Sequence, residues 1–259
     1  MRVPLHVVTA RREELAKLLQ QHRYMPLTEL CSRLSISVAT ARRDLAVMAK
    51  DKIITRTRGG ALVDFNQRFP SFRERQFRAS LAKRQMAMAA LKLIKPGTTV
   101  FFDAGTTTYA IAEALTVQPV GRITALTNNL PVAEMLAGVQ DMEVQVVGGQ
   151  YLARQSVLFG EQARRCLRLW KLDLAFLGAE GMSQAGIWNS QKDVVAFQKT
   201  VVELSPRTVC CLDATKLGQE APEFFLPWAD VDTLLTDVTA EQLKAAGIKL
   251  AKGQLISAS

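Results

Sequence analysis

The sequence predicts an α/β protein with a small, mainly helical N-terminal domain and a larger C-terminal domain built on a mostly parallel sheet. Residues 1–63 contain three short helical patterns followed by a pattern typical of a β-hairpin. From residue 81 onwards, helical and strand patterns alternate, as they do in proteins with parallel sheets. Residues 1–80 carry 16 Lys and Arg against 7 Asp and Glu, whereas residues 81–259 carry 17 of each kind. The net charge of +9 therefore lies in the first third, which indicates a basic domain that binds a polyanion, joined to a neutral domain with another task.

The composition of the 259 residues excludes several classes of protein. No apolar stretch approaches the roughly 18 residues of a membrane-spanning helix, and the apolar piece within residues 1–8 is too short for a signal peptide. The four cysteines form no Cys-x-x-Cys pair, and with only two histidines a zinc site is not expected. We therefore predict a soluble, cytoplasmic protein with no metal ion and no cofactor.

The first 50 residues contain the three helical patterns. Thr9 can cap the first helix, which the segment 22–26 ends, and Ser37 can cap the third helix after the tight turn of residues 35–37. Two short helices joined by so short a turn form a helix-turn-helix. Apolar residues repeat at helical spacing in all three patterns: Leu15, Leu18 and Leu19 in the first, Leu27, Leu30, Cys31 and Leu34 in the second, and Val38, Ala41, Leu45 and Met48 in the third.

Residues 53–63 combine β-branched side chains, alternating basic residues and the pair Gly59–Gly60. We interpret them as a small hairpin, the wing of a winged helix, and place the end of the first domain at residue 63.

Residues 64–80 then form a partly helical linker, in which phenylalanines alternate with arginines. Such residues can stack on single-stranded bases, but no strand pattern of a base-stacking domain accompanies them, so we favour an amphipathic connector whose Phe side packs on the protein. These residues are Phe65, Phe69, Phe72 and Phe77, with Arg68, Arg73, Arg75 and Arg78.

Residues 81–259 are predicted to form one α/β domain, because about 180 residues suffice for a single well-buried core. A helix covers residues 81–95. The strand candidates are 98–102, 123–127, 143–147, 172–177, 207–212 and 232–236. The helices between them are 108–116, 130–137, 161–169, 190–204 and 239–246.

The third helix is the candidate DNA-reading element. Because its apolar side must face the other two helices, Arg42 and Arg43 point outwards, where a helix in the major groove can bind guanine edges or phosphates. The alternative is an ordinary helix pair with solvated arginines, but the basic hairpin and the local charge favour DNA. Asp44 would repel phosphate, so we expect it to pair with Arg42 or Arg43. The candidate DNA-binding residues are Ser37, Ala39, Thr40, Arg42, Arg43, Arg56, Arg58 and Gly59.

The strand 98–102 leads through Asp103 and Gly105 into three consecutive threonines, Thr106 to Thr108, and a helix. Free backbone N–H groups and the positive end of the helix dipole make such a helix start an anion site. The loop is neither a Walker A loop nor a G-x-G-x-x-G motif. The alternative is a plain helix cap by Thr106. Three threonines exceed what a cap requires, so we favour phosphate binding.

Other strand candidates also end in polar or glycine-rich loops. Since the carboxyl ends of parallel strands gather along one edge of a sheet, these loops predict a polar pocket for a small ligand. Asparagine would bind hydroxyl groups, Lys216 a negative charge, and the carboxylates sugar hydroxyls. Trp188 could line the pocket, but we favour core packing for it. The candidate effector-binding residues are Asp103, Gly105, Thr106, Thr107, Thr108, Asn128, Gly149, Arg154, Glu180, Asp213 and Lys216.

These motifs together resemble the DeoR family of bacterial transcription regulators, and the resemblance covers nearly the whole chain. Its most specific parts are the segment 42–45, with the sequence Arg-Arg-Asp-Leu, and the segment 59–61, with the sequence Gly-Gly-Ala, at their correct separation. The ordered series of strand-end loops, including the segments 103–107 and 213–216, adds independent support.

The resemblance implies a winged helix-turn-helix that binds double-stranded operator DNA, and a sensor domain similar to ribose-5-phosphate isomerase and CoA transferases. It also implies a repressor of carbohydrate-catabolism genes, not an enzyme, that responds to a phosphorylated sugar or a related metabolite and forms a homodimer or homotetramer. Two segments depart from the family pattern. Ala41 stands where Ile or Val is frequent and leaves a smaller plug between the helices. Residues 187–190 stand where many members are rich in threonine. We expect this loop to shape the sugar end of the pocket, so the sequence does not identify the effector.

Two other classes of protein stay open at this point. A sugar-phosphate isomerase could use Asp103, Glu180, Asp213 and Lys216 as acid, base and electrostatic stabiliser, although it would not need the basic N-terminal domain. A non-specific nucleoid-binding protein would not need the developed loops of the second domain.

Overall fold

The computed structural model describes residues 5–22, 24–50, 54–56, 60–63 and 71–258. The chain divides into two compact units, Met1–Pro70 and Ser71–Ser259. Of the residues expected to form a linker, 71–80 therefore belong to the second unit, while 64–70, with Phe65, Arg68 and Phe69, lie outside the described residues.

In the first unit, the helices α1 (Leu5–His22), α2 (Leu27–Leu34) and α3 (Val38–Lys50) surround one apolar core. The strands β1 (Tyr24–Pro26), β2 (Ile54–Arg56) and β3 (Gly60–Val63) form an antiparallel sheet in the order β1-β3-β2. Strands β2 and β3 confirm the expected hairpin, and β1 extends it. The buried core side chains are Leu15, Leu19, Met25, Leu30, Leu45, Met48 and Ile54.

The caps and faces of these helices confirm some expectations and correct others. The Ser37 hydroxyl accepts a hydrogen bond from the Thr40 N–H at 3.2 Å, so Ser37 caps α3 as predicted. The prediction that Thr9 caps the first helix is wrong, because α1 already begins at Leu5. Val38 is also not part of the buried face. It is the first residue of α3 and is 42% exposed, whereas Ala41 in the next turn is fully buried.

The second unit is an α/β structure, as the sequence predicts. Its helices are α4 (Phe72–Gln76), α5 (Ser80–Leu91), α6 (Thr106–Val117), α7 (Leu130–Leu136), α8 (Glu161–Leu167), α9 (Lys192–Leu204) and α10 (Ala240–Ala245), with short 3₁₀ turns at Ala214–Lys216 and Trp228–Asp230. Its strands are β4 (Thr99–Phe102), β5 (Ile123–Thr127), β6 (Met142–Val146), β7 (Gln150–Leu152), β8 (Val157–Phe159), β9 (Leu174–Gly178), β10 (Gly181–Ser183), β11 (Gly186–Asn189), β12 (Thr208–Cys211), β13 (Glu223–Leu226), β14 (Thr233–Thr236) and β15 (Leu255–Ser257).

Within residues 71–258, seven parallel strands form the central sheet, in the order β15-β14-β12-β9-β4-β5-β6. Successive residues of a strand point to opposite faces, and both faces are covered. Phe101 packs on one side with Phe197 of α9, and Phe102 packs on the other side with Ile111 of α6. The six strands expected from their apolar runs all lie in this sheet.

Two small antiparallel sheets were not expected from the sequence. Strands β7 and β8 form a hairpin, and β11 lies between β10 and β13. These strands have three or four residues each, which is too short for an alternating pattern to stand out. Among the described residues, no helix is long and apolar enough to cross a membrane.

Candidate ligand site and DNA-binding surface

The central sheet has a switch point between β4 and β9. The chain continues from β4 to β5 and β6 on one side, while β9 and the later strands lie on the other. In open α/β sheets, ligands bind in the crevice beyond the carboxyl ends of the strands at such a point. The loops after β4 and β9 meet there, since a Cβ added to Gly105 would lie 3.5 Å from the Cα of Gly178. The predicted loop from Asp103 to Thr108 therefore lies at the expected position of a ligand site.

Helix α6 begins in this crevice, directly after Gly105. The fully buried Thr108 hydroxyl contacts the carbonyl oxygens of Asp103 and Gly105 at 2.5 and 2.7 Å, so it shapes the turn. Thr106 and Thr107 occupy the first turn, whose backbone N–H groups have no partner within a helix. These N–H groups and the helix dipole can hold an anion.

Asp103 lies at the floor of the crevice and is only 5% exposed. One carboxylate oxygen accepts hydrogen bonds from the Gly178 N–H at 3.1 Å and from Nε2 of Gln198 at 2.7 Å. The other lies 3.5 Å from Nδ2 of Asn128. Burial raises the pKa of Asp103, and these hydrogen bonds act in the opposite direction. An acceptor surrounded by donors suits the ionised carboxylate.

Asn128 is 2% exposed, and its Oδ1 atom has no hydrogen-bond partner among the described residues. A buried amide oxygen without a partner costs about 1–3 kcal/mol. A ligand that donates a hydrogen bond, such as a hydroxyl group, would remove this cost. The atom is therefore suited to bind a polyhydroxylated ligand.

Charged side chains follow the adjacent strands β9 and β12 at the same edge of the sheet. Nζ of Lys216 lies 3.6 Å from Glu180, and Glu180 also lies 3.7 Å from a guanidinium nitrogen of Arg75 on α4. Asp213 is buried at the start of the 3₁₀ turn that carries Lys216, and it accepts a hydrogen bond from the Thr215 N–H at 3.0 Å. The structure thus brings the predicted residues Glu180, Asp213 and Lys216 into one region.

Lys83 of α5 belongs to the same region, although the sequence did not indicate it. Its Nζ donates hydrogen bonds to the carbonyl oxygens of Arg75 at 2.8 Å and Arg78 at 2.5 Å, and the side chain is buried. The pKa of Lys83 is lowered to about 8, mainly because the side chain is buried. The negative charge of Asp213 acts in the opposite direction, and the positive charges of Lys216, Arg75 and Arg78 contribute to the lowering.

Gln198 and Arg75 were also missed by the sequence analysis. Gln198 gave a usable signal, because it is a polar residue at the spacing of Val195 and Val201 on the buried face of α9. Arg75 gave none, since it falls in a segment expected to be a linker. Two other predicted residues lie at the β7–β8 hairpin, which contacts Asn128 and Arg75 through Leu158 and Gln155. Gly149 has a φ of +129°, and a Cβ at this position would lie 2.6 Å from the Phe159 carbonyl oxygen, so the glycine allows close backbone packing. The side chain of Arg154 is exposed.

In the first unit, Ala39, Arg42 and Arg43 of α3 are exposed, and Thr40 is half-buried. Of the wing residues, Arg56 lies opposite Ala61 in the sheet, but its side chain is outside the described parts of the chain. Arg58 and Gly59 lie entirely outside the described residues. Thus the exposed part of the candidate DNA-binding surface that can be described is the outer side of α3.

The expectation that Asp44 pairs with Arg42 or Arg43 is wrong. Asp44 is buried and accepts hydrogen bonds from Nε of Arg11 at 2.6 Å and Nε of Arg12 at 3.0 Å, both on α1. Residues one or two positions apart on a helix do not face each other, so Asp44 points towards α1 while its neighbours point outwards. This leaves Arg42 and Arg43 available to a partner.

Two domain models of one protein family match this chain. The model described as the DeoR-like helix-turn-helix domain matches residues 11–67, and the model of the DeoR C terminal sensor domain matches residues 78–238. Among the described residues, no group of His, Cys, Asp or Glu side chains is placed to hold a metal ion.

Several curated proteins are similar over most of their length. The glycerol-3-phosphate regulon repressor of Escherichia coli is 29% identical over 88% of this chain and 90% of its own. The protein of the same name from Haemophilus influenzae is 30% identical over 87% and 88%. The HTH-type transcriptional repressor GlcR of Bacillus subtilis is 28% identical over 85% and 84%.

Solved structures overlap with parts of the chain. Ribose 5 phosphate isomerase A from Neisseria gonorrhoeae aligns with 52% of this chain and 52% of its own, at 19% identity and a TM-score of 0.36. A 4-hydroxybutyrate CoA-transferase from Porphyromonas gingivalis aligns with 64% of this chain and 50% of its own, at 14% identity and a TM-score of 0.38.

Proposed function

The chain belongs to the DeoR family of transcriptional regulators, and from this premise we propose that it is a repressor of carbohydrate-catabolism genes. It binds operator DNA through α3 and the wing. A phosphorylated sugar or a related metabolite, bound in the crevice of the second unit, controls that binding. The curated relatives named for a glycerol-3-phosphate regulon support a phosphorylated, hydroxylated effector.

One observation carries the effector part of the proposal. At the switch point of the sheet, a helix start with free backbone N–H groups and Lys216 lie at the same sheet edge as Asp103 and Asn128, which suit hydroxyl groups. A phosphate group has three strong acceptor oxygens and a sugar has several hydroxyl donors, so one sugar phosphate satisfies both parts.

The DNA part rests on α3. A dimer would place two such helices on an inverted repeat, and arginine contacts to phosphate would supply much of the affinity. Arg42, Arg43 and Thr40 would contribute to sequence choice, since a bidentate base contact is worth about 1–3 kcal/mol. To weaken operator binding about 100-fold, the effector must favour the DNA-incompetent arrangement by roughly 2.7 kcal/mol. A few hydrogen bonds to phosphate and hydroxyl groups can supply this difference.

The DNA-binding part is tested with fragments from upstream of the chain's own gene and its neighbours. Fluorescence anisotropy should give a dissociation constant that rises at least about 10-fold in Arg42→Ala, in line with the loss of one base or phosphate contact per protomer. Arg122→Ala removes an exposed arginine from the second unit and should leave the affinity unchanged. Undiminished affinity in Arg42→Ala would refute this part.

The effector part is tested by the melting temperature of the full chain with a panel of triose, pentose and hexose phosphates, each paired with its unphosphorylated form. A compound that prefers the folded protein raises the melting temperature. Thr106→Ala and Lys216→Ala should lose most of this rise and of the effect on DNA binding. If both variants respond like the wild type, the crevice is not the effector site.

The alternatives from the sequence are tested in the same preparations. A turnover assay with pentose and hexose phosphates should show no isomerisation. Random-sequence DNA should compete at least about 1,000-fold less well than the operator, as for other specific regulators. Turnover would favour the enzyme, and equal competition would favour a nucleoid protein.

A further inference from the structure

Helix α4 is the first element that the chain forms after the segment 64–70, which leads from the wing. Its start is fixed by a capping box. The Ser71 N–H donates to Glu74 at 2.6 Å, and the Glu74 N–H donates to the Ser71 hydroxyl at 3.3 Å. Along the chain, α4 is therefore the described element of the second unit that lies nearest to the wing.

The contacts of α4 connect it to the ligand crevice. Arg75 lies 3.7 Å from Glu180 and donates to Oε1 of Gln155 at 3.1 Å. Lys83 holds the end of the helix through the Arg75 and Arg78 carbonyl oxygens. The buried Phe72 ring packs edge-on against Tyr109 of α6, with 5.4 Å between the ring centroids. A helix of five residues thus depends on crevice residues for its position.

The carboxylate of Glu180 lies within 3.7 Å of both Arg75 and Lys216. The three side chains are only 14% to 19% exposed, so solvent and salt screen their charges less than at an open surface. A phosphate group that binds Lys216 and Arg75 would need the same two cations as Glu180. Because two anions in one partly buried site repel each other, the phosphate and Glu180 compete for these cations.

We propose that Arg75 is a positioning residue that reports effector occupancy to α4. In the effector-free protein, Glu180 holds Arg75. The phosphate of the effector replaces Glu180 as the partner of Lys216 and Arg75, and α4 takes a second position that changes DNA affinity. This inference rests on the proposed function, because it requires an anionic effector in the crevice. It adds the route by which that effector acts.

The first test needs no effector. In full-length protein, operator affinity is measured for Arg75→Gln, Glu180→Gln and the double variant. If the contact sets the position of α4, each single change shifts the dissociation constant, and the two effects are non-additive by at least about 3-fold, as for residues in direct contact. Arg73→Gln is the matched control, since it removes the same charge from an exposed position of the same helix. Additive effects, or affinities within about 2-fold of the wild type, overturn the proposal.

The second test measures coupling with glycerol 3-phosphate, ribose 5-phosphate and glucose 6-phosphate as probes. For a probe that releases the wild type from DNA, Glu180→Gln should bind the probe more tightly, because a competing anion is gone. Arg75→Gln should still bind it, but the ratio of DNA dissociation constants with and without probe should fall from about 10 or more to about 1. A purely structural Arg75 would leave that ratio unchanged, which overturns the proposal.

The two tests separate this inference from the proposed function. If no probe affects the wild type or raises its melting temperature, the proposed effector fails, and the double-variant cycle still decides whether Arg75 and Glu180 jointly set DNA affinity. If a probe acts on the wild type and equally on Arg75→Gln, the proposed function stands and the inference falls. Circular dichroism melts of all variants show whether each one is folded.

Discussion

Asp103 is a buried carboxyl group whose hydrogen-bond partners favour its ionised form, while its burial opposes it. The hydrogen bonds to its carboxylate come from Gly178, Gln198 and Asn128, and each partner is a donor. Gln198 is itself oriented by the Asn189 amide, which donates to its Oε1 at 3.0 Å. Such an arrangement has a cost in stability, because burial of a carboxylate is unfavourable unless every acceptor position is used. A cost of this kind is typical of a residue kept for binding.

The pH dependence of stability tests this view of Asp103. Burial raises its pKa above the ordinary value of 3.8, so at pH values between 3.8 and the raised pKa the folded state binds more protons than the unfolded state. The contribution of Asp103 to the free energy of unfolding therefore falls as the pH rises. Asp103→Asn removes the titrating group, so its free energy of unfolding should rise relative to that of the wild type as the pH increases from 4 to 7.

Urea unfolding, followed by the fluorescence of the three tryptophans, measures this difference, because all of them lie in the second unit. The exposed Asp230→Asn serves as the control. A difference between Asp103→Asn and the wild type that stays constant with pH would contradict the raised pKa.

Asp44 makes a comparable prediction for the first unit. It is the shared partner of Arg11 and Arg12, whose side chains are 17% and 31% exposed. Asp44→Ala leaves both cations without this partner and should lower the free energy of unfolding of the first unit by about 2 kcal/mol, less than for a fully buried pair. Circular dichroism during thermal unfolding measures the loss, with the exposed Glu13→Ala as the control. Equal melting temperatures of Asp44→Ala and Glu13→Ala would show that the contacts of Asp44 with Arg11 and Arg12 do not stabilise the unit.

At the level of elements, the parallel strands were predictable and the short hairpins were not. Strand β5 occupies residues 123–127 as expected, because a mostly buried strand stands out as a short run of apolar and β-branched residues between turn residues. Strand β10 has three residues and pairs with β11 through contacts that no local pattern encodes. The expectation for Thr9 failed for a similar reason, since propensity alone does not fix where a helix begins.

The residues of the candidate site also fall into those that the sequence predicts and those that it does not. Asp103, Gly105 and Lys216 were predictable because they follow strands whose carboxyl ends gather at one edge. Lys83 and Arg75 were not, because their roles come from the packing of α4 and α5 over that edge, far from the strand ends in sequence. Tertiary contacts of this kind leave a signal only when, as for Gln198, a polar residue interrupts an apolar helix face.

Lys83 connects α5 to the end of α4 and gives a prediction for these elements. Burial lowers its pKa to about 8, below the value of 10.5 of an exposed lysine. Between these pH values the unfolded chain binds more protons, so the contribution of Lys83 to the free energy of unfolding rises with pH. The free energy of unfolding of the wild type should therefore rise by on the order of 2 kcal/mol relative to that of Lys83→Met from pH 7.5 to pH 10.

Urea unfolding at a series of pH values measures this gain through the same tryptophans. Other groups that titrate in this range are present in both proteins and cancel in the difference. The exposed Lys92→Met should show no such change. If the difference between the wild type and Lys83→Met does not vary with pH, Lys83 is not buried as a charged group.

At the scale of the whole molecule, the charge is divided between two tasks. The first unit, residues 1–70, carries 13 basic and 6 acidic side chains, and the second unit, residues 71–259, carries 20 and 18. A nearly balanced second unit can hold a single anionic metabolite in a shaped crevice without attracting nucleic acid to its whole surface. A basic first unit gains affinity for any duplex through counterion release, and needs α3 to choose among sequences.

This division predicts how DNA binding responds to salt. If Arg42, Arg43, Arg56 and Arg58 of both protomers contact phosphate, the logarithm of the affinity should fall with that of the salt concentration with a slope of about −7. The combined change Arg42→Gln and Arg43→Gln should make this slope shallower by about 3 to 4, since it removes four charges from a dimer. The combined change Lys92→Gln and Lys95→Gln removes the same charge from exposed positions of the second unit and should leave the slope as it is. Equal changes of slope in the two double variants would mean that the second unit also contacts the duplex, and the assignment of one task to each half of the chain would then be wrong.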